Sequence, residues 1–238
     1  MFEKIKNFLL TPTLSKVLLI FILFFGIFLR FHMLQNFVIN GDSARDILIA
    51  QTALDRREIP QSGIFSSAGP FVIGPVYLWV LMLSLIIFPV GVASAWILYF
   101  FISIVAFLVI TYVGFLLGGK RLALILASLS ATSGSFVNLS LNQSNTTLVI
   151  ISTLLLILFF ILFIRKKKLL YTFLCGFSIG LAVSMHYQAI NLFIFLPFVF
   201  FIQGIRIKKK IVSAGLIIAG FLIPLMPLLY WDAHQNFA

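Results

Sequence analysis

Eight apolar runs follow one another along this chain, at about 14–31, 74–90, 93–117, 121–137, 146–164, 169–186, 188–203 and 211–231, with only short polar breaks between most of them. A helix rising ~1.5 Å per residue needs roughly 20 apolar residues to cross ~30 Å of hydrocarbon. Most of these runs are close to that length. Hydrophobic residues make up 62% of the 238 and charged ones 10%, a balance outside the range of soluble domains. The chain is therefore expected to be all-α, a polytopic membrane helix bundle. A single cysteine, Cys175, lies inside an apolar run and excludes an internal disulfide or a cysteine metal site. The basic N-terminal stretch is not followed by a small-residue cleavage signature, so the first run reads as a retained helix.

The net charge of +11 comes from short clusters rather than one basic face. Lys4, Lys6 and Lys16 precede the first run, and Lys120–Arg121, Arg165–Lys168 and Arg206–Lys210 follow alternate later ones. Such clusters are topology signals, not a nucleic-acid surface. If all eight runs crossed, the first cluster and the later three would face opposite sides. The run 74–90 opens on Gly74-Pro75, closes on Phe88-Pro89 and is short, so it is assigned to the interface. About seven transmembrane helices remain, with amphipathic juxtamembrane helices in the first outer loop. The expected single transmembrane domain 1–238 comprises a first span at 14–31, an outer loop at 32–92 and six further spans within 93–231. With the N-terminus cytoplasmic, 13 of the 17 basic residues are inside and five of the six acids outside. An eight-span chain with its N-terminus outside also gathers most basic residues on one face, but separates Asp42 from Asp232.

The outer face of the seven-span arrangement collects residues 31–73, 133–147, 185–189 and 231–238, and with them carboxylates, histidines, amides and hydroxyls. Chemistry is most readily built there. Gly41-Asp42-Ser43-Ala44-Arg45-Asp46 opens an amphipathic helical pattern running to about Arg57. Asp42 stands where an N-cap would, so its carboxylate either caps backbone N–H groups or serves catalysis. The i, i+3, i+4 spacing sets Asp42, Arg45 and Asp46 on one face, able to bind a sugar or phosphate, or to form a surface ion pair. His186 and Tyr187 lie between two apolar runs, where aromatic residues anchor helices and an imidazole can meet a phosphate. Asn142 belongs to an amide-rich turn suited to hydrogen-bonding a sugar or to capping a helix. Asp232 follows the last span at the same level.

Taken in order, the segments Gly41–Ala50, Gly74-Pro75-Val76-Tyr77-Leu78-Trp79, Ser140-Leu141-Asn142-Gln143-Ser144-Asn145, Gly180-Leu181, Met185-His186-Tyr187-Gln188-Ala189 and Pro227–Asp232 resemble the GT-C superfamily of membrane glycosyltransferases. The similarity is to its protein mannosyltransferase and aminoarabinose transferase-like group. That resemblance implies two juxtamembrane helices in the first outer loop and a polyprenyl-phosphate sugar donor. It also implies an acceptor that is a lipid, glycan or protein, and inversion at the anomeric carbon. Asp42 matches the acidic general base of such enzymes, and Arg45 and His186 are the groups placed to stabilise the departing phosphate. Asp46, Tyr187, Asn142 and Asp232 complete the expected substrate contacts. Many relatives have a second acid where this chain has Ser43, and Lys-Pro where it has Gly74-Pro75. Relatives usually continue into further helices or a soluble domain, so the resemblance implies either an N-terminal transmembrane module or fragment of a longer protein, or a minimal version lacking acceptor recognition.

No metal ligand set is expected among the site residues, and a divalent metal ion is the one cofactor left open. Membrane lipid is an expected partner and nucleic acid is not. The expected location is the cell (inner) membrane. Two other readings fit the same residues: a lipid or sugar-lipid transporter or flippase, and a non-catalytic membrane subunit. The first requires polar groups through the depth of the bundle, whereas 93–117 and 146–164 offer only scattered Ser, Thr and Tyr.

Overall fold

The computed structural model describes residues 12–65, 72–202, 204 and 206–235. The described residues form helices α1 (Pro12–Met33), α2 (Gly41–Asp55), α3 (Val76–Ile87), α4 (Ser94–Thr132), α5 (Gly134–Asn138), α6 (Asn145–Lys166), α7 (Leu169–Met185), α8 (Phe195–Phe201) and α9 (Ile207–His234). A 3₁₀ helix, Tyr187–Ile194, leads into α8. Four of these helices, α1, α4, α6 and α9, are long and apolar enough to cross a membrane, and α3, α7 and the Tyr187–Phe201 stretch are shorter apolar helices. The protein is thus an all-α polytopic bundle. At 12 residues, α3 is only ~18 Å long and falls short of a bilayer core.

The chain folds as two compact units, Met1–Val38 with Trp96–Gln143, and Ile39–Ala95 with Ser144–Ala238. In the first, α4 is two antiparallel arms, 94–117 and 120–132, rather than one rod. Gly118 (φ −139°, ψ 20°) and Gly119 (φ 64°, ψ −156°) break it, and the second of these is a conformation open almost only to glycine. The arms then pack so closely that a Cβ on Gly114 would stand 2.9 Å from the Leu122 carbonyl oxygen. Arg30, fully buried near the end of α1, joins that helix to the end of the second arm. Its guanidinium donates to the carbonyls of Gly26 (2.9 Å) and Ser130 (3.0 Å) and lies 4.6 Å from the centre of the Phe107 ring. A cation in a spanning helix persists only with such partners. The sequence shows the charge of Arg30 in an apolar run but not its partner Ser130, which lies 100 residues along the chain.

The second unit is built on α6, α7 and α9. In lipid, helices gain little from burying apolar side chains, so close backbone approach at small residues takes over. Gly176 and Gly180 of α7 supply it: a Cβ on the first would collide with the Ile217 carbonyl of α9, and one on the second with that of Phe221. Gly220 faces the Phe173 carbonyl in the same way. From Gly176–Ile217 to Gly180–Phe221 both chains advance by four residues, so α7 and α9 run parallel. Helix α6 runs against them, because the Asn145 side-chain amide at its start donates to the Met185 carbonyl at the end of α7 (2.9 Å). At the other end, Lys167 donates to the Gly204 carbonyl (3.4 Å). One end of this unit therefore carries Asn145, His186 and Asp232, and the opposite end carries Arg165–Lys168 and Arg206–Lys210.

Candidate active site

Helix α2 begins differently from the sequence expectation. Asn40, not Asp42, is its N-cap: Asn40 Oδ1 accepts from the Ser43 backbone N–H (2.8 Å) and from the Ser43 hydroxyl (2.9 Å). The cap sits one residue before Gly41 because Asn40 is extended (φ −98°, ψ 171°) while Gly41 and Asp42 are already helical. Asp42 is thereby released from backbone duty. Its side chain is 82% exposed and is held at one oxygen, by an Arg45 guanidinium nitrogen at 3.1 Å. A carboxylate in the first turn of a helix is also favoured by the helix dipole.

Asp46 departs furthest from expectation. Far from forming a surface ion pair, its side chain is only 5% exposed. Arg45 Nε donates to its Oδ1 (2.9 Å), a second Arg45 nitrogen lies 2.8 Å from the same oxygen, and the buried Tyr77 hydroxyl donates to Oδ2 (2.9 Å). Burial of a carboxylate is tolerated only with partners of this kind. The hydrogen bond from Arg45 to Asp46 is the main cause holding the Arg45 guanidinium above its ordinary range. Asp46 and Tyr77 fix Arg45, and Arg45 fixes Asp42. The helix ends at Asp55 rather than near Arg57, and its Ser43, Asp46, Ile47, Ala50 and Ala53 are the buried stripe.

Tyr77 is placed by the segment around it. Trp79 Nε1 donates to the Pro60 carbonyl (2.9 Å), tying α3 to the loop after α2. Gly74 lies against Ser184 of α7, where any side chain would collide. The departure from the Lys-Pro expectation at Gly74-Pro75 has a physical reason here: this backbone passes through a space that admits no Cβ. Tyr187 also reaches the segment, its hydroxyl donating to the Val72 carbonyl. Burial, and to a smaller extent the charge of Asp232, push the Tyr187 phenol above its ordinary range.

His186 follows the last residue of α7 and is half-buried, with Nδ1 accepting the Gln188 N–H at 3.4 Å. Asn142 is exposed in the turn after α5 and belongs to the first unit, whereas the other proposed site residues belong to the second. Among the described residues no three of His, Cys, Asp and Glu are grouped to hold a metal ion. Cys175 is free and buried. Sequence reasoning missed Asn40 and Tyr77. The first could have been found, since Asn directly before a helical pattern is among the best N-caps. The second stands 31 residues from Asp46, and no local period connects them.

The profile of the dolichyl-phosphate-mannose-protein mannosyltransferase family matches residues 70–231. This chain belongs to that family. Its membership makes it a membrane glycosyltransferase of the GT-C type and implies a lipid-linked sugar donor. The family match takes in Tyr77, Asn142, His186 and Tyr187, begins after α2, and ends one residue before Asp232. Comparisons with curated proteins and with solved structures returned no match.

Proposed function

We propose that this mannosyltransferase-family protein moves a sugar from a polyprenyl-phosphate donor to an acceptor, with inversion, at the membrane face opposite its lysine clusters. The observation that carries this reading is the state of Asp42. It is an exposed carboxylate, free of capping duty, aimed by an arginine that is itself anchored on a buried Asp–Tyr pair. A general base needs this combination of access and fixed position. Asp42 takes a proton from the acceptor hydroxyl or amine as that group attacks the anomeric carbon, and the bond to the lipid phosphate oxygen breaks. The electron pair of that bond leaves with the phosphate, whose charge Arg45 is placed to stabilise.

The face is assigned from the second unit, where His186 and Asp232 lie at the end remote from Arg165–Lys168 and Arg206–Lys210, together with the rule that lysine-rich connections stay cytoplasmic. By the same rule the N-terminus, which carries Lys4, Lys6 and Lys16, is placed inside, and the cell membrane is the proposed location. The test is transfer from polyprenyl-phosphate mannose to a panel of lipid, glycan and peptide acceptors, with the anomeric configuration of the product read by NMR. Inversion relative to the donor is expected. Retention would require double displacement or front-face attack and would overturn the mechanism.

A further inference from the structure

A second polar group in the same unit takes no part in the cluster of Asp42, Arg45, Asp46 and Tyr77. Thr146 and Thr153 of α6 line one wall of a groove of about 280 Å³, and His186, Gln188 and Asn191 line the other. The backbone explains why these side chains meet. The eight residues Tyr187–Ile194 are one continuous 3₁₀ helix, twice the length such helices commonly reach. At three residues per turn, Gln188 and Asn191 stand one above the other on a single edge. The α-helical period does the same for Thr146, Val149 and Thr153 on the facing wall.

The chemistry of the lining is specific. His186 Nδ1 accepts the Gln188 N–H, so the neutral ring carries its hydrogen on Nε2 and offers a donor there. The Gln188 and Asn191 side-chain amides make no hydrogen bond among the described residues, and each brings a donor and an acceptor. Thr153 spends its hydrogen on the Val149 carbonyl (2.8 Å) and keeps its oxygen lone pairs as acceptors. Val149 and Leu192 add an aliphatic surface. The groove contains no carboxylate and no lysine or arginine. A phosphate would want fixed cations, and a polyprenyl tail would strip water from five polar groups without replacing it. A sugar ring satisfies both kinds of lining, with hydroxyls that donate and accept and a C–H face for the aliphatic surface.

We propose that this groove binds a neutral hexopyranosyl ring, and that His186 is a sugar contact rather than a phosphate contact. The proposal rests on the glycosyltransferase reading above. Saturation-transfer NMR of the full chain in detergent, with methyl α-D-mannopyranoside and the corresponding glucoside and galactoside, tests it. At least one of the three should show transfer, and the exposed-site double variant Gln188→Leu/Asn191→Leu should weaken its binding about tenfold. Thr153→Val, nearly isosteric, should weaken it in the same direction. Added polyprenyl-phosphate mannose should displace the methyl glycoside if the ring is the donor's and leave it bound if the ring is the acceptor's, and either result supports the groove. No transfer from any of the three to a folded wild-type chain, or transfer indifferent to the groove variants, overturns the proposal. If it fails while polyprenyl-phosphate mannose is still turned over in an Asp42-dependent way, the groove alone is wrong; if both fail, so is the glycosyltransferase mechanism.

Discussion

Asn40 decides what Asp42 is free to do. Because the amide oxygen takes the orphan N–H of Ser43, the neighbouring carboxylate has no structural debt. Asn40→Ala should cost about 1 kcal/mol of stability, visible as a lower melting temperature, and should lower activity by loosening the first turn that carries Asp42. The buried pair beneath is more demanding. Tyr77→Phe removes the hydroxyl that donates to Asp46 and leaves a buried carboxylate oxygen one hydrogen bond short, an expected loss of about 1.5–3 kcal/mol. A melting temperature equal to that of the wild type would contradict the described pairing. The line Asp42, Arg45, Asp46 was legible as an i, i+3, i+4 face. Its division into an exposed and a buried carboxylate was not, because burial is set by α3, which arrives from 31 residues along the chain.

Between elements, glycine does what leucine does in a soluble core. The α7–α9 contact depends on Gly176 and Gly180 meeting carbonyls of the facing backbone, so side chains there cannot simply repack. Gly176→Leu should cost more than the about 1–3 kcal/mol of ordinary overpacking and release a loosened or aggregated chain on size exclusion. Gly215 of α9, where an added Cβ meets nothing within 4 Å, is the control. Gly215→Ala should be neutral or raise stability by roughly 0.5–1 kcal/mol through helix propensity. The helix breaks themselves were legible, since Gly118-Gly119 and the charged clusters interrupt the apolar pattern where the structure turns. The register of one helix on another was not, because any small residue on an apolar helix could mark a crossing. The run 188–203 likewise concealed a change from 3₁₀ to α-helix that periodicity over so short a stretch does not resolve.

For the whole molecule, charge asymmetry in the sequence and helix direction in the second unit agree. Single-cysteine variants at Lys167 and Lys209 should label from one side of a sealed vesicle, and variants at Gln61 and His234 from the other, with native Cys175 buried and silent. Labelling of all four from one side would refute the assigned topology. Family membership supplies the reaction class, and Asp42 supplies the claim on which the mechanism depends. The most direct test is turnover of polyprenyl-phosphate mannose, per folded molecule, by the wild type and Asp42→Asn in proteoliposomes. A fall of about 10²–10⁴-fold with an unchanged melting temperature is the predicted result. Turnover within a few-fold of wild type would contradict it and remove Asp42 from the chemistry.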